Sequence, residues 1–154
     1  MAQIGVASDH AGFELKCQII QALTKAGVDF IDYGTQDSRP VDYPDYAKKL
    51  GEAIISKKVQ RGILICGSGV GICVAANKIP GVRAGLCGDT YSAHQGVEHD
   101  NMNVLVIGAW VTGSQLALEL IQTFLKAQFF PEERHLRRLE KILEIEAKYS
   151  KGGP

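Results

Sequence analysis

The sequence predicts an α/β fold: an αβα sandwich around a doubly wound, five-stranded parallel sheet of Rossmann-like type, with one extra helix at the C-terminal end. Five short runs rich in Val and Ile carry the first part of that expectation. Gln3–Ala7, Val28–Tyr33, Gly62–Cys66, Val82–Cys87 and Asn103–Ile107 are apolar on successive residues, as suits strands buried on both faces of a parallel sheet. Segments of helical period alternate with them, and right-handed crossovers turn such alternation into a doubly wound sheet. The 154 residues are enough for one domain of common size and too few for two.

The elements follow in order. After the first run come Ser8-Asp9-His10 and a helix over 12–26, which Gly27 closes in the usual C-terminal position. The second run leads to a helix over 43–57, opened by Asp42 ahead of Tyr43-Pro44. The third ends in Cys66-Gly67-Ser68-Gly69-Val70-Gly71 and enters a helix over 70–78. The fourth ends near Cys87-Gly88-Asp89, before a helix over 90–98, and His99-Asp100-Asn101 precede the fifth run. Ser114 opens a helix over 114–127. A sixth helix, 132–148, carries a Leu136, Leu139 and Leu143 stripe suited to a core, with Arg134, Arg138 and Lys141 roughly opposite. Residues 1–149 read as one domain and 150–154 as a frayed tail.

Lys plus Arg and Asp plus Glu each number 17, for a formal net charge of zero. Binding to nucleic acid or a membrane surface by bulk charge needs a basic excess, so neither is expected. A hydrophobic share of 45% with 22% charged residues is that of a folded globular domain. The four cysteines show no CxxC spacing, the start shows no secretory pattern, and the apolar stretch Val104–Val111 is too short to span a bilayer. A reduced, cytoplasmic protein is the expectation.

Ligands of doubly wound folds bind outside the carboxyl ends of the strands. Ser8-Asp9-His10, the glycine-rich loop, Cys87-Gly88-Asp89 and His99-Asp100-Asn101 are all expected on or near that edge. Alternate glycines at Gly67, Gly69 and Gly71 expose N–H groups that can form an anion-binding concavity. No Gly-Lys-Ser/Thr follows, so this is not a Walker A loop. Ile72 stands where a dinucleotide fingerprint needs Gly or Ala. A glycine turn serving tight packing has the same spacing. Cys66 sits against a helix N-terminus, which favours a thiolate; a small buried hydrophobe is the other reading. Cys17 and Cys73 fit the second description, and Cys87 fits either. His10 and His99 can exchange protons near neutrality, whereas His94 and His99, five apart, do not make a zinc pair on one helical face. The basic stripe on the sixth helix is either a grip for substrate or neighbour, or a solvated face.

Taken as an ordered set, several motifs point further. They are Ser-Asp-His-Ala-Gly-Phe-Glu-Leu-Lys at 8–16, Asp-Tyr-Pro at 42–44, Gly-Ile-Leu-Ile-Cys-Gly-Ser-Gly-Val-Gly-Ile at 62–72, Ala-Ala-Asn-Lys at 75–78, Gly-Val-Arg-Ala at 81–84 and Arg-His-x-x-Arg at 134–138. Together they resemble the type B ribose-5-phosphate isomerases, a family that includes galactose-6-phosphate and allose-6-phosphate isomerases. The resemblance spans essentially the whole chain. It implies an aldose–ketose isomerase acting on a small sugar phosphate, as a homodimer or homotetramer with shared active sites, and needing no metal or organic cofactor. Cys66 would remove the C2 proton, and the N–H groups of Gly67, Ser68, Gly69, Val70 and Gly71 would stabilise the enediolate. His99 would open the sugar ring. Asp9, His10 and Tyr43 would line the sugar, and Arg134 and Arg138 would hold the phosphate.

The chain departs from the family pattern at Asp100, where an amide is usual, and at Trp110, where an arginine commonly meets phosphate. One residue is also inserted around Pro131-Glu132. Ribose 5-phosphate is the substrate the resemblance favours, because galactose-6-phosphate isomerase subunits tend to lack the cysteine. A six-carbon sugar phosphate and a non-catalytic sugar-phosphate sensor are the alternatives. A nucleotide-binding oxidoreductase is disfavoured by Ile72.

Overall fold

A computed structural model describes residues 3–150. The chain runs β1 (Ile4–Ser8), α1 (Phe13–Lys25), β2 (Phe30–Asp32), α2 (Tyr43–Ile55), β3 (Arg61–Cys66), α3 (Val70–Ala76), β4 (Ala84–Leu86), α4 (Thr90–Asp100), β5 (Val104–Gly108), α5 (Ser114–Lys126) and α6 (Glu133–Ser150). The sheet order is β2-β1-β3-β5-β4, with every neighbouring pair parallel. The predicted class and the order of elements are those observed. Ser150 lies on α6, and the rest of the expected tail lies outside the described residues.

Side-chain alternation along the central strands divides the core. Ile63, Ile65, Leu105 and Ile107 face α1, α4 and α5, where Ile19, Val97, Leu120 and Phe124 meet them. Leu64, Val104 and Val106 point to the other face, against Leu50, Ile54 and Ile72 of α2 and α3. That two-sided burial is why β1, β3 and β5 read as unbroken apolar runs. The edge strands differ from expectation. β2 and β4 hold only three residues each, because each ladders with a single neighbour, over Ile4–Val6 and Val104–Val106. Gly27 takes a φ of +67° just past α1, the left-handed stop that glycine favours. Asp42 precedes α2 in extended conformation but makes no side-chain capping bond.

The larger correction concerns α6. Its leucine stripe is not part of this chain's core: Leu136, Ile142, Leu143, Ile145 and Tyr149 are exposed, and His135 is the helix's one buried residue. Hydrophobic period shows that a face wants cover without showing what supplies it. No helix among the described residues is long and apolar enough to cross a membrane.

The chain steps from β1 to β2 on one side and to β3 on the other, so the crevice between the carboxyl ends of β1 and β3 is the switch point where ligands of such sheets bind. A buried ion pair braces its rim. Lys16, 1% exposed, reaches Asp32 Oδ2 at 2.5 Å, while Asp32 Oδ1 accepts the Gly34 N–H at 2.8 Å. Lys16→Ala leaves Asp32 without its cation, and the expected loss of unfolding free energy is about 2–4 kcal/mol, moderated by the partial exposure of the carboxylate. Urea unfolding followed by circular dichroism checks it.

Candidate active site

At the switch point, strand ends bring together the residues expected there. The Asp9 N–H donates to Ile65 O, and Asp9 Oδ1 accepts from the Gly12 N–H at 3.1 Å, which fixes its carboxylate at the base of α1. His10 Nδ1 accepts from the Val41 N–H at 3.1 Å, leaving Nε2 as the ring's donor. That contact joins the loop before α2 to the end of β1, two segments 31 residues apart.

Cys66 ends β3, and the loop folds back over its sulfur. The Gly69 N–H donates to Cys66 Sγ at 3.2 Å. Gly69 has a φ of +83°, and a Cβ there would lie 2.5 Å from Leu86 and 3.1 Å from the Gly108 nitrogen; both backbone shape and space exclude a side chain. Ser68 Oγ accepts from the Val70 N–H at 3.2 Å. The loop is held from β5, whose following residues donate from Ala109 N to Cys66 O and from Trp110 N to Gly67 O.

Two aromatic rings complete this half. Tyr43 packs on Gly71, where a Cβ would lie 2.7 Å from the ring, and the Trp110 indole lies equally close to Gly67. The indole is nonetheless 77% exposed. Two of the other thiols are poor candidates for chemistry. Burial pushes the Cys87 thiol up to about 11 and also raises Cys73, which is half-buried.

The remaining expected residues lie elsewhere. His99 is in the last turn of α4, and α4 runs back from the carboxyl edge to the start of β5. His99, Asp100 and Asn101 are therefore at the amino edge of the sheet, not the carboxyl edge where their proximity to β5 in sequence had suggested a ligand site. Asn101 makes the turn with a φ of 51°, and its carbonyl accepts from Arg83 Nε at the start of β4. β5 alone separates the two edges by on the order of 13 Å. Arg134 joins His99 at the amino edge through His135, whose ring stacks on His99 at 4.1 Å between centroids. Arg138 follows one turn further along α6 and makes no ion pair among the described residues. Asp100 borders a cavity of about 1010 Å³ beneath the C-terminal half of α6, beside Arg83, Met102, Ile142 and Glu146.

The structure thus gathers Asp9, His10, Tyr43, Cys66 and the Gly67–Gly71 loop in one place, and His99, Arg134 and Arg138 in another. His135 escaped the sequence reading, although it stands inside the Arg-His-x-x-Arg motif and is 1% exposed.

Comparison with known proteins agrees with this architecture. The family model described as Ribose/Galactose Isomerase matches residues 4–142. Ribose-5-phosphate isomerase B of Escherichia coli is 44% identical over 146 residues, covering 95% of this chain and 97% of that protein. D-erythrulose-4-phosphate isomerase of Pectobacterium atrosepticum is 42% identical over 131 residues, 84% and 86% of the two chains. The solved structure of Clostridium thermocellum ribose-5-phosphate isomerase B superposes with a TM-score of 0.93 at 48% identity, over 96% of this chain and 99% of that one. With a matching family model over most of its length, the same fold and close relatives throughout, the chain belongs to the Ribose/Galactose Isomerase family.

Proposed function

We propose that this protein interconverts ribose 5-phosphate and ribulose 5-phosphate through an enediolate, in an active site completed by two copies of the chain. The observation that carries the reading is the Cys66 sulfur at the root of a loop of backbone N–H donors, in the switch-point crevice beside Asp9 and His10. The relatives named as ribose-5-phosphate isomerase B support the substrate.

The chemistry needs four things from the protein: an acid to open the ring, a base for the C2 proton, donors for the enediolate and a grip on the phosphate. His99 protonates the ring oxygen as the C1 hydroxyl loses its proton, which opens the furanose to the aldehyde. Cys66 then takes the C2 proton, and the N–H groups of the Gly67–Gly71 loop, apart from those of Gly69 and Val70 that Cys66 Sγ and Ser68 Oγ already engage, meet the charge developing on the enediolate oxygens; one such donor is typically worth ~10²–10³ in rate. Cys66 returns the proton to C1 while the O2 proton passes to O1, leaving a C2 ketone and a C1 hydroxyl. Asp9, His10 and Tyr43 line the sugar, and the Arg134 and Arg138 guanidinium groups hold the phosphate. The balance needs no oxidant, cofactor or metal.

An acid and a base acting on one pentose must both come within hydrogen-bond reach of it. In a single chain they lie at opposite sheet edges, so His99, Arg134 and Arg138 of one copy serve Cys66 of another. The uncovered α6 stripe and the exposed Trp110–Val111 pair are the apolar surface such an assembly would bury.

Purified protein incubated with ribose 5-phosphate should yield ribulose 5-phosphate at a higher kcat/KM than with allose 6-phosphate, galactose 6-phosphate or erythrulose 4-phosphate. Faster turnover of one of those three would reassign the substrate, and turnover of none of the four would leave a sugar-phosphate sensor.

A further inference from the structure

His135 occupies a position that its own chemistry does not explain. Its Nδ1 donates to Phe130 O at 2.8 Å, and its Nε2 accepts from Arg134 Nε at 3.3 Å. Both nitrogens are thus satisfied within the chain, and the side chain is 1% exposed, so it has nothing left to offer a substrate. What it does offer is a ring face. The His135 and His99 planes lie 25° apart, with centroids 4.1 Å apart.

The surrounding contacts close a circuit. The Phe130 N–H donates to Glu98 O at 2.9 Å, anchoring the segment before α6 to the residue next to His99. Phe130 O then receives His135, and His135 returns to His99 through the stack. On its other edge His99 Nδ1 pairs with Gln95 Nε2 at 3.0 Å. An amide nitrogen can only donate, so Nδ1 accepts and the proton resides on Nε2. One edge and one face of the ring are fixed, and Nε2 makes no hydrogen bond within the described residues.

We infer that His135 is a positioning residue, which by stacking on His99 and bonding Phe130 and Arg134 holds the ring-opening imidazole and the phosphate-binding start of α6 as one rigid arm. This rests on the isomerase reading above, and its test separates the two. Ribose 5-phosphate is a closed ring, whereas ribulose 5-phosphate, with its O5 esterified, has no hydroxyl able to close a furanose on C2. Exchange of the C1 proton of ribulose 5-phosphate with D2O therefore needs the Cys66 loop but not the ring-opening step.

Full-length His135→Ala should lower kcat for ribose 5-phosphate by on the order of 10- to 100-fold, as expected when a reacting group is misplaced by about 1 Å, and should raise KM for both sugar phosphates through Arg134, with C1 exchange at saturating ribulose 5-phosphate changed less than about 2-fold. His135→Phe keeps an aromatic face and should recover most of kcat. Loss of exchange in step with kcat, or undiminished kcat in His135→Ala, would overturn the assignment. ¹⁵N NMR of the histidines supplies the independent arm. The unmodified protein should show His99 as a single Nε2–H tautomer with sharp ring signals, and His135→Ala, which keeps the Gln95 bond, should leave that tautomer in place but broaden the His99 ring signals as the imidazole loses its fixed orientation. An unchanged His99 signal would sink the idea even if ribose 5-phosphate proved not to be the substrate.

Discussion

A Cys66→Ala variant and a His99→Ala variant, each inactive alone, should regain about a quarter of the unmodified activity when refolded or expressed together. Random pairing makes half of the dimers mixed. Each mixed dimer has one site with both residues intact and one lacking both, which gives the quarter. Single-variant losses should reach at least ~10²-fold, the low end of what a positioned acid or base contributes. The expectation depends on one structural fact: Cys66 pairs with Gly108 at the end of the β3–β5 ladder, while His99 precedes its beginning. If a single chain held a whole site, the intact residue of each variant would have no intact complement to meet, and mixing would restore nothing. That result would sink the shared-site reading.

The second large effect concerns phosphate. Replacing Arg134 and Arg138 together by Ala should raise KM for ribose 5-phosphate by on the order of 10²–10³, as expected from losing charge-assisted contacts to a dianion, while kcat changes much less. The two arginines are four residues apart, so they share one face of α6. The resemblance expects a third cation at Trp110, and an indole supplies none. A KM within about 2-fold of the unmodified value would remove the arginines from the site, since even one such contact is worth more than that.

The sheet was legible because both of its faces are buried, which forces unbroken Val/Ile runs in its central strands, and because glycine and proline punctuate the turns. Cys66 and its loop were legible for a related reason. Alternate glycines at the end of a buried strand leave few arrangements other than exposed N–H groups beside the next helix. His99 lies at the far edge of the sheet because the α4 that carries it is eleven residues long. At about 1.5 Å per residue such a helix spans the sheet and delivers its last turn to the far edge. The α6 stripe conceals its partner for a different reason. Leu136, Leu139 and Leu143 announce a surface to be covered, and a single sequence does not distinguish cover by its own fold from cover by another molecule. His135 could not be found from periodicity, because its role depends on a ring stack between two helices and on a carbonyl five residues back.

Trp110 is the chain's sole tryptophan, and its indole rests on the backbone of Gly67. The protein's native emission is therefore a local signal from the Gly67 loop, not an average over the fold. On the proposed reading, colour and quenching should follow sugar phosphate entering the crevice or another copy closing over it, without any label. The same fact limits the probe: a denaturation curve traced by this one fluorophore records when the Gly67 loop lets go, which in a molecule of uneven local stability can precede the melting of the sheet.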